Sequence, residues 1–273
     1  MSRAFALFAV AVLATACGET SATRVLSRTA DNLGEIRSGD LTLRLVVSPR
    51  EGTKGRIGFE LRGPFALRPR ALPIAKIAYT QIAGAHEATA TFISTGVKAY
   101  AEVNGKVYEL PPSSTEGVRR AAAGIGDSGG LGRFDLGDWV EHPVVTDGGR
   151  VGGAQTDHVS AGPDVVAAAN GLLGLIRQLG GNAPMLKGDQ ARQLERAVKS
   201  SSFDVWTGKD DRLLRRLLLK ADLGFDVPAS LRRVLGSVVG AKVEFELAVS
   251  NPNEPVSVPP PANPLPSSEL PGG

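Results

Sequence analysis

The side chains able to do covalent chemistry in this chain are few. Cys17 is the one cysteine among the 273 residues, and a thiol is the side chain nucleophilic enough to form a thioether. Ser128 lies in the run Gly126-Asp127-Ser128-Gly129-Gly130, and the histidines are His86, His142 and His158. A serine nucleophile needs an imidazole base that a carboxylate orients. None of the histidines has His or Cys neighbours at metal-ligand spacing, and neither an HExxH, a P-loop nor a paired-cysteine zinc motif occurs. His158 directly follows Asp157 and either pairs with it or is a satisfied structural histidine, which the lack of further ligands favours. Carboxylates can pair across space, as glycoside hydrolysis requires, but nothing in the spacing nominates a pair. No catalytic residue, metal site or cofactor is expected, and the chain does not read as an enzyme.

The thiol gains meaning from what precedes it. Arg3 is followed by an unbroken apolar run from Ala4 to Ala14, the charged start and hydrophobic centre of an export signal. Such a run reaches only about 17 Å as a helix, against a hydrocarbon core of roughly 30 Å, so it is too short to stay as a membrane span. Leu13-Ala14-Thr15-Ala16-Cys17 resembles the lipobox of bacterial lipoproteins, with Ala14 where leucine is commonest. That resemblance implies that residues 1–16 are removed and that Cys17 carries acyl chains. Two or more chains hold a protein to a bilayer stably, where one does not. Residues 17–22 are then a lipidated cysteine and a short tether, which places the body near the cell membrane on its extracytoplasmic face. Gly126–Gly130 resembles the nucleophile motif of trypsin-like serine proteases, but His86 stands too close before Ser128 for the barrel halves such an enzyme needs. Gly124 to Gly132 is therefore expected to be a glycine-rich loop.

Composition allows one sizeable domain, with 42% apolar and 22% charged residues and a net charge of +3. The arginine pairs at 119 and 120, 215 and 216, and 232 and 233 are separated by acidic and apolar residues. No basic stripe with interleaved aromatics appears, so nucleic acid is not an expected partner.

The elements that would position these groups follow from periodicity. From Thr23, the residues Val25, Leu26, Ala30, Leu33 and Ile36 share one helical face, and Gly39-Asp40 ends the helix. Alternation then predicts strands at Leu41–Val47, Ile57–Leu61, Ile74–Ile82, Ala88–Ser94, Val97–Val103 and Lys106–Leu110. Gly63 to Pro73 reads as a connection, and Asn104-Gly105 as a tight hairpin turn. A short helix is expected over Pro111–Ala123, opened by Ser113 and Glu116 at capping-box spacing. Trp139 reads as a packing residue near a helix end, and Val151–Ala161 as extended. A helix from Pro163 presents Val165, Val166, Ala169, Leu172, Leu173, Ile176 and Leu179. Its Gly171 and Gly174 either permit close packing or leave space for something bound. Asp189–Lys199 is a charged amphipathic helix, Phe203–Trp206 and Leu213–Leu223 form a hairpin, and Pro228–Gly240 is a short helix or loop. Val243–Val249 alternates clearly, Glu254–Val258 is a last edge strand, and Pro259–Gly273 is a proline-rich tail without structure.

The lipobox, the helix and meander, Asp138-Trp139, the passage from Thr156 to Leu173, the segment from Phe203 to Leu223 and the ending from Asn251 to Pro261 together resemble the LppX and LprG lipoproteins of mycobacteria, relatives of the LolA-like lipid carriers. The resemblance implies an α+β fold over residues 23–258: a curved antiparallel sheet, a half-barrel, with helices packed on its concave face and an apolar cavity between them. It also implies a monomer that binds lipid or acylated glycolipid, with a transporter of the envelope as a further partner. The residues expected to line such a cavity are Ile57, Phe59, Ile77, Tyr79, Phe92 and Tyr100 from the sheet, Leu172, Leu173 and Ile176 from a helix, and Phe245 and Leu247 from the last strand. Each serves equally well as ordinary core. The same fold with a filled core would suit an envelope scaffold or regulatory lipoprotein without a lipid ligand.

Overall fold

The computed structural model describes residues 21–50, 55–69, 71–127, 136–178, 184–224 and 240–270, with the side chains of 121, 123–127, 175, 176 and 178 left aside. The export signal, Cys17 and the segment 228–239 lie outside the described residues. The first element is α1 (Ser21–Asn32), whose Ala22, Leu26 and Thr29 are buried at the four- and three-residue spacing of one helical face. A 3-10 turn at Leu33–Glu35 carries the chain into β1 (Ser38–Pro49). A meander follows: β2 (Ile57–Ala66), β3 (Ile74–Ala83), β4 (His86–Thr95), β5 (Ala99–Val103) and β6 (Lys106–Glu109). Next come α2 (Pro112–Asp127), β7 (Val140–Val151), β8 (Ala154–Pro163), α3 (Val165–Gln178), α4 (Asp189–Ala197), β9 (Val198–Gly208), β10 (Leu214–Gly224) and β11 (Gly240–Ser250).

All strands join one antiparallel sheet in the order β6-β5-β4-β3-β2-β1-β11-β10-β9-β8-β7. The order ends at β6 on one side and β7 on the other, so the sheet is open, an α+β half-barrel rather than a closed barrel. Gly58 and Gly63 let β2 bend against its neighbours. A Cβ at Gly58 would lie 2.1 Å from the Leu45 carbonyl oxygen, and one at Gly63, whose φ is +141°, would lie 2.0 Å from that of Lys76. Glycines at such positions are how a sheet acquires curvature.

Several elements depart from what periodicity predicts. β2 continues through Gly63 and Pro64 into the expected connection. β7 has no counterpart in the sequence reading, because two register shifts against β8 and a left-handed His142 (φ 49°) break its alternation. α2 runs through Asp127 and so takes Gly124–Asp127 out of the expected loop, while Ser128–Gly132 lie outside the described residues. Pro163 closes β8, and the cap of α3 is Asp164, whose Oδ1 accepts from the amides of Val166 (3.0 Å) and Ala167 (2.9 Å). Glu254–Val258 forms no strand. β1 already has β2 and β11 on its two sides, so the sheet offers no edge there. The tail is placed as far as residue 270, with Leu265 bridged to Tyr108 and a 3-10 turn at Ser267–Glu269, where the composition suggests no structure. The Asn104-Gly105 hairpin does form, with both residues at positive φ (51° and 74°) as a type I′ turn requires.

Candidate functional site

Directly opposed residues of antiparallel strands share a face, so the register reads as rows across the sheet. One row passes through Val103, Ala90, Tyr79, Leu61, Leu43, Leu247, Leu217, Val205, Val159 and Val145. It is apolar from end to end, and Leu43, Leu247, Leu217, Val205 and Val159 share one core with Leu26, Leu33 and Ile36 beneath α1. The adjacent row, Glu102, Thr91, Ala78, Arg62, Thr42, Ala248, Arg216, Trp206, His158 and Thr146, points away from α1 and is largely polar. The inner row is thus apolar and this outer row largely polar, although the outer phase also buries Val46, Ile93, Tyr100 and Leu218.

The inner face is covered unevenly. α1 lies over β7, β8 and β9, where Thr29 Oγ1 donates to Thr207 Oγ1 (3.0 Å), which donates on to the Leu213 carbonyl oxygen (3.2 Å). Phe203, Val205 and Val159 beneath it have no exposed surface. Trp139 meets the Phe203 ring edge-on with centroids 6.4 Å apart, and a Cβ on Gly171 of α3 would sit 2.1 Å from the Trp139 ring. Gly171 is therefore the socket of Trp139, which settles one of the two glycines in favour of close packing. Among the described residues, a Cβ on Gly174 would meet only the Arg177 guanidinium, at 4.0 Å.

Across β1 the cover thins. Ile57 is 54% exposed and Tyr79 42%, while Phe59, Leu61, Ile77 and Phe92 are half-buried. Phe59 and Tyr79 stack with centroids 6.4 Å apart and planes inclined by 27°. The register thus brings Ile57, Phe59, Ile77, Tyr79 and Phe92 together on the inner face of three adjacent strands, because they fall in one phase of the alternation. Phe245 and Leu247 share that face but are buried in the core of β11. Leu172 packs on the core from α3, Leu173 is half-buried, and the Ile176 side chain lies outside the described residues. Tyr100 is not with the others. It stands opposite Ile93 and Glu109 on the outer face, since Ala99, Ala101 and Val103 take the inner phase of β5. Leu41, Leu45 and Leu61 belong to the same inner surface and are absent from the sequence-derived set, although their alternation was the available signal.

The outer face carries cross-strand polar pairs. His158 Nε2 lies 2.9 Å from Asp204 Oδ1, and its ring stacks on Trp206 with centroids 4.5 Å apart. Arg216 covers the same indole at 5.3 Å and donates from Nε to Glu246 (2.8 Å). Arg44 donates to Glu244 (2.7 Å) and approaches Glu60 (3.6 Å). His158 does not pair with Asp157, because consecutive strand residues point to opposite faces; Asp157 pairs with Arg212 instead. Among the described residues no three His, Cys, Asp or Glu side chains gather as a metal site would require, and no helix is long and apolar enough to cross a membrane.

No family model matches the chain, and no curated protein matches it. Among solved structures it is similar to LprF from Mycobacterium bovis, at 14% identity, a TM-score of 0.43 and coverage of 89% of this chain and 99% of that one. It is also similar to MucB in its complex with MucA(peri), at 11% identity, a TM-score of 0.27 and coverage of 89% and 63%. A LolA superfamily protein from Nitrosomonas europaea is a further match, at 8% identity, a TM-score of 0.21 and coverage of 85% and 94%. At such identities a likeness concerns fold and says nothing of ligand.

Proposed function

We propose that this chain is a lipid-anchored protein of the cell envelope that holds the acyl chain of a lipid or acylated glycolipid on the partly uncovered inner face of β2–β4, without covalent chemistry. The observation that carries this reading is the exposure of Ile57 and Tyr79 on the same face that is a filled core a few strands away. Contiguous apolar surface left open on a folded protein marks a place where something apolar binds. Its physical basis is desolvation, worth about 0.8 kcal/mol per buried methylene, so a long chain binds firmly with few polar contacts. Ile57, Phe59, Ile77, Tyr79 and Phe92 would form the floor, Leu172, Leu173 and Ile176 of α3 the opposing wall, and buried Phe245 and Leu247 the support beneath. Cys17 would carry the anchor, a few tether residues before α1. A transporter of the envelope would be the partner that receives or supplies the ligand, with the carrier acting as a monomer.

The filled half under α1 is what a scaffold without ligand would show over its whole inner face, so that reading is tested with the first. Full chain purified from bacterial membranes should copurify lipid detectable by native mass spectrometry and extraction, and should bind a fluorescent fatty acid saturably. Repeated absence of both favours the scaffold. Cys17→Ser should release folded protein from the membrane fraction, and continued membrane association argues against the anchor.

A further inference from the structure

The proline-rich C-terminal stretch has a placement that its composition does not announce. It leaves β11 through a turn pinned to the start of β1: the Asn253 amide donates to the Ser38 carbonyl oxygen (2.9 Å), Asn253 Oδ1 accepts from the Arg37 amide (2.8 Å), and Ser38 Oγ donates to the Glu254 carbonyl oxygen (2.7 Å). It is pinned again beyond the far edge of the sheet. The Leu265 amide donates to the Val107 carbonyl oxygen (2.8 Å) and the Leu265 carbonyl oxygen accepts from the Glu109 amide (2.8 Å), a parallel bridge on the free side of β6. Leu265 sits between Pro264 and Pro266, so its amide is the donor available at that point.

Between these two pins the chain passes from β1 to the outside of β6. That separation is six strand spacings, about 29 Å along a flat sheet, while the ~11 steps from Glu254 to Leu265 would reach about 34 Å if extended throughout, and the bend at Asn263 takes up part of that. The segment has little slack. Val258, Pro261 and Pro264 are half-buried with exposed residues between them, so the segment lies with one side against the protein, and it bends at Asn263, whose φ is +48°. Pro266, just past the second pin, has polyproline II angles, φ −68° and ψ 151°. Proline pre-sets an extended form, so the stretch from Pro255 to Pro261 resists shortening more than a flexible linker does.

We propose that residues 254–270 form a strap that ties the β6 edge to β1, bracing the thinly covered half of the sheet and slowing the release of whatever that half holds. The bracing stands on the geometry alone; the slowed release rests on the function proposed above. The strap also occupies the free edge of β6, which would otherwise offer unpaired backbone groups to another chain.

Amide hydrogen exchange, followed residue by residue in the full chain, in Leu265→Pro and in a form ending at Asn253, tests the bracing. Leu265→Pro removes one donor and keeps an extended backbone, so it remains informative should the shortened form fold poorly. The Glu109 amide should exchange about tenfold faster in the shortened form and severalfold faster in Leu265→Pro, with Val159 and Val205 in the other half within about twofold of the parent. Unchanged exchange at Glu109, or an equal loss of protection in every strand, overturns the strap. Leu265→Ala keeps the amide and should behave as the parent. For release, dissociation of a dansyl-labelled fatty acid should be at least about fivefold faster in the shortened form, and an unchanged rate overturns that part. If the intact protein takes up no probe, the carrier reading and the slowed release fall together, and the exchange data still decide the strap.

Discussion

Phe59 and Phe203 look inward from the same face of the sheet, on opposite sides of the β1–β11 pair, and they meet different surroundings. Phe203 has no exposed surface and packs edge-on to Trp139 in the core beneath α1. Phe59 is half-buried and stacks on a Tyr79 that is itself open to solvent. Both sit in strands of the same kind, alternating apolar and polar residues about equally well. Alternation commits a face to being apolar, and whether that face is filled depends on which helix lies over it. Here α1 covers β7, β8 and β9, while β2–β4 are left partly bare. One half of the sheet thus secures the fold and the other keeps surface available.

The contrast is sharpest in mutants that truncate each half. Phe203→Ala should cost about 3–5 kcal/mol in urea unfolding, as for a fully buried aromatic that leaves a cavity. Phe59→Ala should cost clearly less, and a loss matching that of Phe203 would break the contrast. Gly171→Ala should come next, at about 1–3 kcal/mol, because the added methyl displaces Trp139 and the core cannot absorb it without strain. A change in Trp139 fluorescence should accompany that loss. Ile57→Asp should leave stability within about 0.5 kcal/mol, as surface substitutions do, yet weaken uptake of a fluorescent fatty acid. Intact uptake would remove β2 from the proposed floor.

The smallest effects distinguish the two ends of the sheet by pH. Next to β5 and β6, Lys98 donates to Glu109 (2.9 Å), and that hydrogen bond, then the Glu109 charge, raises the Lys98 pKa. In β7, Asp147 accepts from the Gly149 amide and from Lys209 (3.1 Å each), and these lower its pKa, the amide contributing most. A raised lysine contributes stability that is present below its unfolded pKa and is lost as pH rises through the folded value. A lowered aspartate contributes stability present above its unfolded pKa and lost as pH falls through the folded value. The difference in Tm between parent and Lys98→Met should therefore vanish in strong alkali, and that for Asp147→Asn in acid. Both groups are exposed, so the differences should be small.

Local rules account for much of what the chain announces. Asn104-Gly105 forms its turn because adjacent residues set it, and α1 buries Leu26 and Thr29 because helical spacing alone lines them up. The clear alternation of β11 survives in the structure, with Phe245, Leu247 and Val249 buried on one phase. β7 was hidden because its bulges and left-handed His142 interrupt the very period that would reveal it. In the candidate site, Ile57, Phe59, Ile77, Tyr79 and Phe92 could be selected as large apolar residues in strands. Tyr100 satisfied the same criterion, but the phase of β5 turns it to the outer face.

What the amino-acid order determined by itself is therefore which residues alternate, where tight turns fall, and that one face of an antiparallel sheet must be apolar, since these depend on neighbours a few positions apart. Only the tertiary structure decided which stretch of that face is covered, that Gly171 receives Trp139, that His158 pairs with Asp204 rather than Asp157, and that the proline-rich tail reaches β6. Each of those joins residues distant along the chain, and local periodicity carries no information about which distant surfaces meet.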